Sequence, residues 1–391
     1  MLEFNGFHRE DGSAGVRNHV LLIANCSCAN GIIDRISALA PGAVPMRHTY
    51  GCSIPGESER WRRILISVCT NPNIYAVILV GVGCETEDAR DIRERIRGIR
   101  PMPVFAQVVQ EDGGGEAVIE RCARQAQEYL REAQAQPRRP APVSALVLGT
   151  ECGGSDALSG LTANPVIGIA ADCIVENGGT ALLSEVAEMI GAEDILAARA
   201  SCPAVGEKIR AMIADEERTV RQYLGADAAR IIARGNMEGG LTTIQEKALG
   251  CIRKGGSGTI MDVLDYGQRV GDRKGLYIMR GPGYDPVSLT GLFACGAQVV
   301  LFSTGRGNPL GYPAAPCVKV CSNPSTFLKM GGVGGDMDIN AGRVASGEAT
   351  LEEMGEACIR YLLDVCSGMP SMPEKHGYGG AMCVYTAAPP L

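Results

Sequence analysis

The side chains able to do chemistry in this sequence collect directly after short apolar runs. His19–Ala24 is followed by Asn25-Cys26-Ser27-Cys28, and the run at 44–47 by His48-Thr49-Tyr50-Gly51-Cys52. The run at 75–80 leads into Gly81-Val82-Gly83-Cys84-Glu85, and that at 145–148 into Gly149-Thr150-Glu151-Cys152-Gly153-Gly154-Ser155-Asp156. Later, Arg280-Gly281-Pro282-Gly283-Tyr284-Asp285 and Ser303-Thr304-Gly305-Arg306-Gly307 close two more such runs. Thiolate, imidazole and carboxylate are the usual transition-metal ligands. No CxxC pair occurs among these loops, so a structural zinc knuckle is not indicated. A scattered O/N/S set suits an open catalytic site. Cys52, Cys84, Glu85 and Cys152 are read as metal ligands, though a cysteine alone after a strand is more often a small buried residue. His48 and Asp156 join Glu151 in the catalytic group, His48 because its loop is polar. Glu151 is read as general base or a further ligand. Ser155 and Asp156 have two readings: helix caps, or, with the helix N-terminus, a cradle for a substrate carboxylate. Arg306, between two glycines, suits bidentate binding of a carboxylate or sulfonate. Lys319, taken as a further substrate-binding residue, and Lys247 are weaker candidates, since a single lysine is usually a solvated charge.

These loops need a scaffold that brings them together. Short apolar runs alternate with amphipathic segments throughout, which predicts an α/β fold with mainly parallel sheets covered on both faces. Ligand sites in such sheets lie beyond the carboxyl ends of the strands. Six ends carrying polar groups beside glycines imply a site built from many loops. The polar, Pro-rich stretch Ala135–Pro142 reads as a linker, dividing the chain into 1–136 and 143–391, each expected to be a three-layer α/β/α domain. The segments 181–190, 207–224 and 228–234 are expected to be helical.

Composition narrows the function. At 391 residues the chain exceeds what one core usually supports. A net charge of −7 without a basic stretch argues against nucleic acid as partner. The start lacks a signal peptide's basic and apolar regions, and no apolar run reaches bilayer length, so a cytoplasmic protein with no membrane partner is expected. In that compartment the 16 cysteines are mostly small buried hydrophobes. Only four histidines are present, and neither a G-x-S-x-G elbow, a G-x-G-x-x-G fingerprint nor a P-loop occurs.

Several blocks together resemble one family. Gly6-Phe7-His8-Arg9, Asp11-Gly12 and Gly15-Val16-Arg17-Asn18 open it; Gly51-Cys52 and Gly83-Cys84-Glu85 follow. The most specific block is Gly149–Asp156 with Ser159-Gly160 and Ala163-Asn164-Pro165, continued by Asp172, Gly178-Gly179-Thr180 and Ser184-Glu185. Gly239-Gly240-Leu241-Thr242-Thr243, Pro282–Pro286, Thr304–Gly307 and Asp336–Gly342 complete it. The chain resembles the catalytic part of the altronate/galactarate dehydratase family over nearly its whole length. The resemblance implies a divalent metal, Fe²⁺ or Mn²⁺, and a small hydroxy-acid substrate. It implies loss of an α-proton and a β-hydroxyl to give a 2-keto-3-deoxy acid, with Arg17 and Asn18 among the substrate-binding residues. Fused relatives carry a small extra domain before Gly6, which implies a separate small subunit here, and a homo-oligomer is expected. Where altronate-type members resemble His-x-His-Gly-Cys, this chain has His48-Thr49-Tyr50-Gly51-Cys52. The sulfolactate sulfo-lyase large subunit is the alternative member, with sulfite as leaving group, and a non-catalytic binding subunit is the alternative of another class.

Overall fold

The computed structural model describes residues 2–52, 55–225 and 232–385. It is an α/β protein. Seven parallel strands lie side by side in the order Ile260–Leu264, Gly275–Met279, Thr180–Leu183, Val147–Cys152, Val299–Thr304, Cys317–Cys321, Ile339–Asn340. A second parallel sheet orders Val44–Met46, His19–Ala24, Ile74–Gly81 and Val104–Val108. Most of these strands are apolar and buried along their length, as sheets covered on both faces require.

One face of the large sheet packs on the helices Ala163–Glu176 and Leu351–Cys366 through Leu148, Leu301, Val318 and Val320. The other packs on the helix Asp285–Cys295 through Leu182, Met279, Val300 and Phe302. The same core continues into Trp61, Ile64 and Leu65 of the helix Pro55–Cys69, so the two sheets share one apolar seam. The chain leaves Val147–Cys152 toward Thr180–Leu183 but leaves Val299–Thr304 toward Cys317–Cys321, in the opposite direction. Neighbouring strands whose connections diverge in this way open a crevice between their carboxyl ends.

Two local expectations differ from the structure. Residues 181–190 are not a helix: Thr180–Leu183 is a buried strand and Val186–Met189 a single 3₁₀ turn. A run of three apolar residues carries no period to separate strand from helix, and here the sheet decides. The stretch at 135–142 is not structureless: Arg139–Pro142 pairs antiparallel with Glu3–His8. Proline is tolerated on such a short edge strand. The helix expected at 228–234 lies largely outside the described residues; Arg234–Glu238 is helical.

Candidate active site

The alternation of a β-strand sends Glu151 and Cys152 to opposite faces of the large sheet. Each begins a separate cluster.

On the Cys152 face, the strand Thr180–Leu183 ends in Ser184-Glu185, and the helix Ile244–Cys251 brings Lys247 and Cys251. Ligand atoms of Cys152, Glu185, Glu188 and Cys251 lie within 4.8 Å of one another, all buried; among the described residues no other group of three or more such side chains is so close. Cys152 Sγ donates to Glu188 Oε2 at 3.0 Å, and the Cys152 N–H donates to Glu185 Oε2 at 3.0 Å. Two ammonium groups balance the carboxylates. Lys247 Nζ lies 2.5 Å from Glu188 Oε1, and Lys254, fully buried, pairs with Glu185. Hydrogen bonding with Cys251, burial and the adjacent carboxylates push the Cys152 thiol far up. Burial raises the Glu185 carboxyl to about 7 against the lowering by Lys254; Lys254 itself is held charged by the surrounding thiols and carboxylates, and its direct contact with Glu185 makes the two an ion pair. Glu185 is also, among the described residues, the one non-glycine residue with positive φ, 72°. A left-handed backbone at a buried, charged residue persists only where the surroundings over-determine it, and such strain gathers at functional sites.

The arrangement can hold a metal ion. Two carboxylates against two ammonium groups sum to zero while the thiols keep their protons. A divalent cation that displaces both thiol protons leaves the sum at zero, so its charge needs no further compensation in this buried place. Uptake of Zn²⁺ or Fe²⁺ is therefore expected to release close to two protons per ion, read by calorimetry in buffers of different ionisation enthalpy; uptake with no proton release would separate the thiols from the metal. A cavity of about 330 Å³ reaches this cluster, lined by Cys152, Ser155, Asn164, Glu188, Lys247 and Cys251 among others.

On the other face, Glu151, Phe302 and Lys319 are register partners across three adjacent strands and form one row. Glu151 accepts from Ser288, whose hydroxyl also lies 2.7 Å from that of Ser184. Glu151 Oε1 and Lys319 Nζ are both buried without a hydrogen-bond partner. The Lys319 ammonium lies 3.0 Å from the centroid of the Phe302 ring instead. Burial, then Glu185 and Asp285, push the Glu151 carboxyl well above the usual carboxylate range. Burial lowers Lys319 to about 7, against the pull of Cys317, Asp285, Asp338 and Glu151. Asp285 accepts from Asn308, and a Cβ at Gly153 would fall 2.3 Å from its Oδ2, so glycine is needed for that approach.

The remaining residues singled out in the sequence fall elsewhere. Asp156 accepts from Ser159 Oγ at 2.9 Å, Ser322 Oγ at 2.7 Å and Asn323 Nδ2 at 3.1 Å, tying two crevice loops together. Its alanine variant leaves these buried donors unmatched, and an unfolding free energy lower by about 2–4 kcal/mol is expected in urea titration; a loss under about 0.5 kcal/mol would remove the bracing role. Ser155 lines the cavity, and its carbonyl accepts from Asn236. Arg306, 44% exposed, pairs with Glu238 at 3.2 Å. Arg17 is not free for a substrate: it forks onto Glu374 and donates to the carbonyls of Val16, Val365 and Met369. Asn18 bonds Arg9 and Ala133. In the small sheet, Glu85 caps the backbone N–H groups of Val82, Gly83 and Cys84, while Cys52 and Cys84 are exposed. His48 spends both ring nitrogens on Ala24 O and the Tyr50 N–H, and burial lowers it to about 4. The structure thus separates Cys152 from the other three expected ligands and gives it Glu185, Glu188 and Cys251. These were missed because Glu185 follows a strand whose sequence reads as helix, Glu188 lies in a 3₁₀ turn and Cys251 closes a helix.

The chain belongs to the D-galactarate/altronate dehydratase family. Residues 143–388 match the model of the D-galactarate/altronate dehydratase C-terminal domain, and residues 6–134 that of the D-galactarate dehydratase/altronate hydrolase second domain. It is 34% identical to the altronate dehydratase of Bacillus subtilis (strain 168), over 96% of this chain and 76% of that one. It is 32% identical to the galactarate dehydratase (L-threo-forming) of Escherichia coli (strain K12), over 99% and 77% respectively. The (2R)-sulfolactate sulfo-lyase subunit beta of Chromohalobacter salexigens is 32% identical over 96% of this chain and 95% of that subunit. These relatives are dehydratases and a sulfo-lyase, so the family is one of lyases. No helix among the described residues is long and apolar enough to cross a membrane.

Proposed function

We propose that this chain is a metal-dependent lyase that eliminates water from a sugar acid of the altronate or galactarate type. The observation that carries the reading is the row Glu151–Phe302–Lys319 beside the crevice. It holds an acid and an amine, each buried, each with an unpartnered atom, and each shifted toward its neutral form. Elimination needs one group to take the α-proton and another to protonate the leaving hydroxyl. Lys319, neutral in part near pH 7, is the base; Glu151, which burial pushes toward its protonated form, is the acid. This reverses the part expected of Glu151 from sequence. Ser288 and Ser184 orient the Glu151 carboxyl, and Asn308 orients Asp285. Ser155, Lys247 and Arg306, which surround the cavity and its mouth, receive the substrate's carboxylate. Cys152, Glu185, Glu188 and Cys251 would hold the metal, which supplies positive charge to the enolate formed next to that carboxylate. A mixed thiolate and carboxylate set favours Fe²⁺ over Mn²⁺.

A second reading is favoured by one observation. The chain covers 95% of the sulfo-lyase subunit but only 75% to 77% of the dehydratases. The same acid and base would then serve expulsion of sulfite, and a separate small subunit would complete the enzyme. Anaerobic turnover of altronate, galactarate and sulfolactate with Fe²⁺, following 2-keto acid and sulfite separately, decides between them. Keto acid without sulfite is expected; sulfite with pyruvate would move the assignment to the sulfo-lyase, and no product from any of them would remove both.

A further inference from the structure

Arg9 and Asn18 of the opening block lie at the amino ends of the strands, opposite the crevice. There three guanidinium groups from three segments of the chain meet the turn 70–74, which joins the helix Pro55–Cys69 to the strand Ile74–Gly81. Arg9 Nε donates to Pro72 O at 2.8 Å, Arg100 Nη2 to Ile74 O at 2.6 Å, and Arg269 Nη1 to Thr70 Oγ1 at 2.8 Å. Asn18 Oδ1 accepts from Arg9 Nη1 and so orients it. These neutral oxygens answer the donors but not their charge. Asp11 is the one carboxylate whose field acts on all three. It accepts instead from the Ser13 N–H at 3.0 Å and the Ser13 hydroxyl at 2.6 Å, and among the described residues none of the three arginines makes an ion pair. Arg100 is 1% exposed, and its Nε is buried without a hydrogen-bond partner. A buried guanidinium is ordinarily paired. Burial, then repulsion from Arg100, lowers Arg9 to about 9; burial lowers Arg100 to about 10, against Asp11 and with Arg269. Three cations against one carboxylate leave an excess of two positive charges. A cavity of about 440 Å³ opens beside them, lined by Asp11, Gly12, Ser13, Pro72 and Arg269 among others.

We propose that this arginine cluster is a second ligand site, for a small doubly charged oxyanion of the phosphate or dicarboxylate kind, separate from the reaction centre. Such an anion matches the excess charge, and its oxygens suit the planar guanidinium donors left over from the turn. It would join three parts of the chain at one point: Arg9 of the opening block, Arg100 ahead of the strand Val104–Val108 in the small sheet, and Arg269 between two strands of the large one. Asp11, at the cavity wall, competes with the anion for the same charges.

The test titrates the whole chain with inorganic phosphate and, separately, with malonate by calorimetry at constant ionic strength, with chloride as the blank. Saturable one-to-one binding of at least one of them is expected, and whichever binds tighter sets the shape of the ligand. Arg269→Gln should weaken it at least about tenfold, and Asp11→Asn should tighten it at least about threefold. Arg218→Gln, on the surface and paired with Asp215, should leave it unchanged. The opposite signs at 269 and 11 separate an anion site from arginines that merely brace the turn. No saturable binding of either anion at millimolar concentration overturns the proposal. So does binding that is indifferent to both variants, or binding lost in Arg306→Ala, which would place the anion in the crevice.

Discussion

Glu185→Gln is expected to strip the protein of divalent metal and take turnover with it, by at least about 10–100-fold in metal affinity. The variant keeps the side chain's shape and its hydrogen bond to the Cys152 N–H, so a folded protein should be recovered. Glu185→Ala goes further. Like glutamine it leaves the buried Lys254 ammonium without its counter-ion, and it also removes the oxygen that could still accept from it, a loss of about 3–5 kcal/mol. Alanine also inherits the left-handed backbone at 72°, and Glu185→Gly should recover about 1 kcal/mol of that loss by accepting the conformation without strain. Metal content by plasma spectrometry and unfolding in urea read the two effects separately. Stoichiometric metal and full activity in Glu185→Gln would end the case for this cluster as the metal centre.

Lys319 gives the second large effect. Lys319→Arg holds a permanent charge where the reaction needs a neutral amine, and a fall in kcat of about 10²–10⁴ is expected. The pH dependence has a definite sign. With Lys319 lowered to about 7, the wild-type rate should climb as pH rises through 7 and the amine loses its proton. Removing that acidic limb in Lys319→Met, together with the rate, separates a proton-transfer role from a packing role. Stability carries the same signature. Between about pH 7 and the ordinary lysine value near 10.4, the unfolded chain binds a proton that the folded chain does not, so folding strengthens as pH rises across that window. Lys319→Met should flatten the slope. An arginine variant with half the native rate would exclude Lys319 as base.

Much of the scaffold was legible in the sequence because long apolar runs have only one economical place. His19–Ala24 and Gly275–Met279 are strands with the expected bounds. The six strand ends do carry the polar loops, and the crevice opens between two of them, after Cys152 and Thr304. The short elements were not legible. Thr180–Leu183 offers only three apolar residues and no period, and its misreading hid Glu185 and Glu188 behind an expected helix. Cys251 closes a helix whose partner is distant in sequence. The polar parts of Asp156, Arg17 and His48 could be seen as capable of chemistry, but only coordinates show that neighbouring carbonyls, hydroxyls and carboxylates already use their bonding capacity. A residue type states what a group can do; its neighbours decide whether anything is left over for a ligand.

The strand Val147–Cys152 presents one functional residue on each side at its carboxyl end, with the two clusters in electrostatic reach of each other there. Substitution within it can be absorbed by repacking, but a change of length cannot. Deleting one residue upstream of Glu151 would turn every later side chain through the sheet, delivering a carboxyl to the metal compartment and a thiol to the proton-transfer row. Mutational tolerance in this segment should therefore be sharply asymmetric, with conservative exchanges surviving selection and single-codon insertions or deletions lost without exception.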